Sequence, residues 1–254
     1  MMEFSNSFLI IAGRENNMAN KIAAYDFAHF TGSQRKAKYR TVTSKRRGEM
    51  SVRKQHMCAA PNTDLGQLGL RQICADEDYL PGALLADVWL QSLMTWQDQQ
   101  RLLTLFKDYY KFLKGYESQN PDAKDMVDIL PFNIVIDEAG VYRSFDREWY
   151  LDERLTPEFV LFRALFWFVY GNSRQFAKLF VSYGWSSVRD YIRSSFEQLG
   201  INPIGLVNDY ADMEDRLQSE ISIDMQKGTI SSLLDSIPQA RSGDTMFQPR
   251  IYWA

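Results

Sequence analysis

The hydrophobic positions change period along the chain. In the first part they form short runs or alternate with polar residues. Residues 23–30 and 50–58 read as strands, and Tyr39, Thr41 and Thr43 share one side of a third strand over 38–44. Lys45-Arg46-Arg47-Gly48-Glu49 is the turn that sends the chain back, and residues 5–13 read as one further strand. From residue 84 the period becomes helical. Residues 84–93 fit a helix, and over 98–116 Leu102, Leu105, Phe106, Tyr109, Phe112 and Leu113 recur at three- and four-residue steps. Thr156-Pro157-Glu158 reads as a helix start with proline in the first turn, ahead of an apolar run over 159–170. Helices are expected over 176–183 and 187–199, then a break at 200–203. A charged helix over 206–223 follows, carrying Leu206, Tyr210, Met213, Leu217 and Ile221 along one stripe. Inside the helical half, Ile134-Val135-Ile136, the turn Asp137-Glu138-Ala139-Gly140 and residues 141–145 predict a β-hairpin. Strands first and helices after predict an α+β chain with antiparallel strands.

Composition narrows this picture. A length of 254 residues permits one or two domains with a substantial core, and 45% hydrophobic with 14% aromatic residues fits a globular chain. A formal charge of −3 and a pI near 5.5 argue against a general nucleic-acid binder. Lysine and arginine do crowd residues 35–54, as a solvated face or as a contact for phosphate or an anionic polysaccharide. Cys58 and Cys74 are too few for a disulfide framework and lack zinc spacing, so a reducing, cytoplasmic compartment is expected. Residues 8–12 are too short an apolar run for a signal peptide or membrane span. The 159–170 run is also too short and contains Arg163. A buried Arg163 needs a carboxylate, for which Asp146, Glu148 and Asp152 are candidates. His29 and His56 fall on strands and read as structural.

The candidate chemistry gathers around the hairpin. A hairpin brings its ends together, so Asn133 entering and Asp146 leaving should share one mouth. Asp128 lies five positions before Asn133 on a loop shaped by Pro131. Two carboxylates and an amide in one place suit an oxygen-ligated Mg²⁺ and a proton acceptor. Read singly, Asp128 is equally a helix cap, Asn133 a turn residue and Asp146 a surface acid. Lys54 falls on the strand returning from the basic turn, where it is either an exposed edge residue or a phosphate contact. Tyr79-Leu80-Pro81-Gly82 reads as a turn between the two halves.

Asp-x-x-x-x-Asn, a hairpin, and an Asp after an apolar pair resemble the catalytic and metal-binding loops of the protein-kinase-like fold. The likeness is nearer to its sugar- and aminoglycoside-kinase-type members. Met126-Val127 stands where His-Arg precedes the base, and Arg147-Glu148 where Phe-Gly follows the metal aspartate. The resemblance implies a two-lobe fold with a reduced antiparallel β N-lobe and a mainly helical C-lobe. It implies Asp128 as catalytic base, Asn133 and Asp146 as Mg²⁺ ligands, and Lys54 on ATP phosphates. Tyr79 and Leu80 would form a hinge whose backbone meets the adenine. Residues 1–13 resemble the last strand of the methyltransferase domain that precedes such domains in bacterial polysaccharide (O-antigen) modifying enzymes. The implied organisation is then that remnant over 1–13, an N-lobe over 14–80, a C-lobe over 81–203, and a C-terminal helix and tail over 204–254. The implied activity is ATP- and Mg-dependent phosphoryl transfer to a sugar or polysaccharide hydroxyl. No Gly-x-Gly-x-x-Gly precedes Lys54, and no glutamate at helical spacing over 62–78 stands out to pair it. Glu77 lies too near the next element for that role. Those absences fit a pseudokinase scaffold, with the final helix docking a methyltransferase or glycosyltransferase.

Overall fold

The computed structural model describes residues 24–58, 68–96, 99–122 and 124–238. The strand expected over 5–13, part of the 62–78 segment and the tail from 242 lie outside the described residues. The fold is mixed α+β. Antiparallel strands β1 (Tyr25–Phe30), β2 (Thr41–Arg46), β3 (Ser51–His56) and β5 (Glu77–Asp78) form one sheet in the order β1-β2-β3-β5. β4 (Arg71–Gln72) pairs with β9 (Trp149–Tyr150). β6 (Ala83–Leu84), β7 (Ile134–Ile136) and β8 (Tyr142–Ser144) form a third sheet. The expected hairpin is β7–β8, in register Ile134↔Ser144 and Ile136↔Tyr142. The helices are α1 (Leu85–Trp96), α2 (Gln99–Gln119), α3 (Pro157–Gly171), α4 (Ser173–Tyr183), α5 (Val188–Gln198), α6 (Leu206–Ile221) and α7 (Thr229–Leu234). Among the described residues no helix is long and apolar enough to cross a membrane.

The strand expected over 38–44 starts later, at Thr41, because a 3-10 turn over Ala37–Tyr39 precedes it. Tyr39 is fully buried against Trp149, ring centroids 5.0 Å apart. Continuing the strand backwards would give up that burial, worth roughly 2–3 kcal/mol for a large side chain. α3 starts as its sequence predicts: Thr156 Oγ1 accepts from Phe159 N–H (3.2 Å) and Pro157 fills the first turn. It is buried on nearly every side, so its apolar residues form the axis of the core. Trp89 of α1 contacts it edge-on through Phe168 at 5.2 Å, and meets Phe106 of α2 at 4.6 Å.

Gly82 marks where the sheet joins the helices. Its φ of +154° is backbone that side chains avoid, and a Cβ there would lie 2.5 Å from the Ile136 carbonyl oxygen. Only glycine lets this connection run beside β7.

Arg163 does find a carboxylate, but none of the three expected. Its Nε donates to Glu214 on α6 at 2.5 Å, and its Nη1 donates to the Val127 carbonyl. Asp146, Glu148 and Asp152 are engaged elsewhere; Asp152, for example, pairs with Arg71 and Lys124. Glu214 is fully buried and also accepts from Trp167 Nε1 (2.8 Å) and Gln218 Nε2 (2.8 Å). The apolar stripe of α6 packs on the core: Leu217 is buried, and Leu206, Tyr210, Met213 and Ile221 are half-buried against it, with Tyr210 meeting Phe159 and Phe162. Glu214→Ala leaves the Arg163 guanidinium buried without its counter-charge. The expected loss is about 3–5 kcal/mol of unfolding free energy, read from urea denaturation. A loss below about 1 kcal/mol would show that α3 and α6 do not depend on the pair.

Candidate functional site

Sequence-distant side chains meet in a cleft of about 980 Å³ between the four-stranded sheet and the helices. Its lining includes Lys54, Asp128, Asn133, Asp146 and Glu148. The 126–133 loop enters it through two 3-10 turns, Met126–Asp128 and Pro131–Asn133, with Pro131 at the first position of the second. The helices behind hold this loop: Tyr109 of α2 donates to Ile129 O (2.6 Å) and Arg163 of α3 to Val127 O. At the hairpin mouth Phe145 N–H donates to Asn133 O (2.9 Å), so Asn133 and Asp146 do lie at one end of β7–β8.

Lys54 is 6% exposed, and β3 is an inner strand rather than an edge. Its Nζ makes an ion pair with Asp146 Oδ1 across the cleft and lies 3.6 Å from Glu148 Oε2. The lysine therefore has carboxylate partners, although among the described residues no helix supplies one. Glu148, two positions after Asp146, pairs in this cleft rather than with Arg163. It is 5% exposed and accepts from Arg35 Nη1 (2.8 Å) and from Gln72 Nε2 (3.1 Å). Burial pushes its carboxyl up, but Arg35 and Lys54 together outweigh that, and Glu148 sits below the ordinary carboxylate range.

Glu77 also enters the site, against the expectation that it lies too near the next element. Its Oε2 accepts from Asp146 N–H at 2.7 Å. Asp146 is the one described non-glycine residue with positive φ, at 57°. Aspartate tolerates that region better than most residues, and Glu77 holds it there. Arg35 begins the basic stretch offered as a phosphate contact, and Glu77 is the glutamate set too near the next element to pair Lys54; nothing in the sequence marks Gln72. The three come from the β1–β2 connection, β5 and β4. Their meeting is a product of sheet order.

Asp128 is 6% exposed, and its Oδ2 accepts from both Glu148 N–H and Trp149 N–H (2.7 Å each). Burial, and then the charge of Glu148, lift its pKa to about 7 against the hydrogen bond from Trp149. Asn133 Nδ2 donates to Asp128 O (3.0 Å), which leaves Asn133 Oδ1 as the amide atom for a cation. Among the described residues no group of three or more His, Cys, Asp and Glu gathers in metal-binding fashion. Asn133 Oδ1 and the partly exposed Asp146 carboxylate nevertheless fit Mg²⁺, which keeps several waters and takes one or two protein oxygens beside phosphate. Tyr79 and Leu80 line the same cleft, but Tyr79 N–H is already committed to Met50 O (2.7 Å). Any backbone reading of a ring there falls to other groups of this turn. Cys74 lies nearby with its thiol pushed up to about 11 by burial and by Glu148, which removes it as a nucleophile.

Comparison with protein-family models, with curated proteins and with solved structures finds no match in any of the three.

Because burial lifts Asp128, the folded chain holds this proton more tightly than the unfolded chain does. That stabilisation is complete below about pH 4, the ordinary carboxylate range, and is lost as pH rises through about 7. Asp128→Asn keeps an oxygen for both backbone donors and cannot titrate. Between pH 4 and 8, urea-unfolding free energies of the parent chain should fall relative to the variant by an amount on the order of a few kcal/mol. Parallel pH profiles would rule out a raised Asp128.

Proposed function

We propose that the chain is an ATP- and Mg-dependent phosphotransferase domain of the protein-kinase-like two-lobe type. Its acceptor would be a sugar or polysaccharide hydroxyl in bacterial surface polysaccharide synthesis. The observation that carries the reading is the ion pair between Lys54, on an inner strand of the sheet, and Asp146, after the hairpin, across a cleft that Asp128 and Asn133 also line. The sheet order and the connection through residues 79–82 support a nucleotide between two lobes. The acceptor class rests on the sequence resemblance alone.

In this reading Lys54 exchanges Asp146 for nucleotide phosphate, and Glu148 keeps hold of the amine during the exchange. Asp146 and Asn133 Oδ1 are then the groups offered to Mg²⁺. Held there, Mg²⁺ would neutralise charge that develops during transfer. Asp128 Oδ2 stays with its backbone donors, so Oδ1 takes the proton of the acceptor hydroxyl. The hydroxyl oxygen bonds to the terminal phosphorus as the bond to the bridging oxygen breaks and its electron pair leaves with ADP. Only ionised Asp128 can accept a proton, so the rate should rise as pH passes about 7. A second reading, the catalytically weak pseudokinase scaffold, is favoured by the burial of Asp128, which restricts its reach toward an acceptor.

Thermal unfolding with and without Mg·ATP tests the nucleotide site. At a hundredfold excess over Kd, binding stabilises by about 2.7 kcal/mol, a rise in Tm of about 5–10 °C for a chain of this size. The rise should vanish in Asp146→Ala. An unchanged Tm for the parent chain at millimolar Mg·ATP overturns the reading. A rise that survives in Asp146→Ala puts the nucleotide somewhere else.

A further inference from the structure

The β1–β2 connection, residues 31–40, passes over the cleft without a glycine-rich phosphate loop, yet it is firmly held. Lys36 N–H donates to Ile221 O (2.9 Å) and Ile223 N–H to Gln34 O (2.8 Å). Lys36 Nζ donates to Ser219 O (2.8 Å), and Tyr39 OH to Glu220 Oε1 (3.0 Å). The connection is thereby tied to the C-terminal end of α6, and it delivers Arg35 into the cleft.

The Arg35 guanidinium is fixed along one edge. Nη1 donates to Glu148 Oε1 at 2.8 Å, with Tyr39 O at 3.4 Å, and the group lies over the Trp149 ring, 5.3 Å from its centroid. Among the described residues nothing accepts from Nε or Nη2. The side chain stays 26% exposed while the Glu148 side chain is 7% exposed, so solvent reaches the cation and hardly reaches its counter-ion. Lys54 and Arg35 share the Glu148 carboxylate, one on each oxygen, so the two cations stand side by side. Glu77, Asp78, Asp87, Asp128, Asp146 and Glu148 all line the cleft, and of its lining cations Arg163 is already paired with Glu214. Lys54 and Arg35 are therefore the two cations left to receive an anion there, and losing Arg35 deepens the negative excess that a polyphosphate meets.

We propose that Arg35 is a phosphate-binding residue: the guanidinium edge not committed to Glu148 receives a phosphate group of the donor nucleotide beside Lys54. This assignment rests on the phosphotransferase reading for the identity of the ligand, though not for its charge. Arginine suits the role because its planar fork meets phosphate oxygens in pairs and cannot lose its charge. The tie to α6 sets the fork before the ligand arrives, which lowers the ordering cost of binding.

Calorimetric titration of the full chain with inorganic tripolyphosphate in magnesium-free buffer, and separately with Mg·ATP, tests it. Arg35→Gln should weaken both about tenfold or more, and Arg35→Lys should recover only part of the loss. Arg46→Gln, on the exposed end of β2, should stay within about twofold of the parent and controls for diffuse charge. If Arg35→Gln fails to fold by circular dichroism, the Lys variant carries the comparison. Equal tripolyphosphate affinity in the parent and the Arg35 variants overturns the assignment. So does an equal loss in Arg46→Gln, or a parent chain that does not bind tripolyphosphate. Arg35-dependent tripolyphosphate binding without Mg·ATP binding keeps the anion site and sinks the nucleotide reading.

Discussion

Glu148 has to keep a negative charge where almost no water reaches it, and the cleft is built around meeting that demand. An isolated carboxylate in such a place would take up a proton. Arg35, Gln72 and Lys54 prevent this, and they arrive from the β1–β2 connection, β4 and β3 respectively. Satisfying one side chain therefore fixes the relative position of three pieces of the β-rich half. The same residue reaches the other half through its backbone, because its N–H donates to Asp128. Glu148 is thus bonded on its side-chain face to the sheet and on its main-chain face to the 126–133 loop.

A second buried charge does for the helices what Glu148 does for the sheet. Arg163 lies mid-helix in the most apolar segment, and Glu214 answers it from α6. Such a pair is a poor source of stability against an apolar alternative, since both ions lose their water. Its value here is directional. The guanidinium also donates to Val127 O, and Tyr109 donates to Ile129 O two residues on. Asp128 is held between those anchored carbonyls. Glu77, at the end of the sheet, then holds Asp146 in its unusual backbone conformation from the opposite side. The candidate site residues are presented by braced backbone, the condition for groups that must meet a ligand without rearranging.

Residues whose role depends on local spacing were the legible ones. The β7–β8 hairpin, the Thr156 cap with Pro157, and the amphipathic period of α2 all follow from neighbours within a turn or two. The convergence of Asn133 and Asp146 could also be read, because a hairpin returns the chain to its start whatever surrounds it. Arg163 was legible as a need but not as a solution: an apolar helix with one arginine announces a missing carboxylate without saying which. Glu77 is illegible as a partner because in the sequence it lies too near the next element to face Lys54 from a helix. Its real neighbour, Asp146, is 69 positions away.

The sequence by itself determined which segments bend, alternate or coil, since those preferences act over a few residues and need no partner. It determined too that an amide and an acid would meet at one hairpin mouth. Tertiary structure alone decided which charges pair: Lys54 with Asp146 and Glu148, Arg35 with Glu148, and Arg163 with Glu214. A buried charge can be neutralised by any opposite charge that the packing brings within a few ångströms, however far away it lies along the chain. Sheet order and helix packing select that partner, and neither is written in any one stretch of residues.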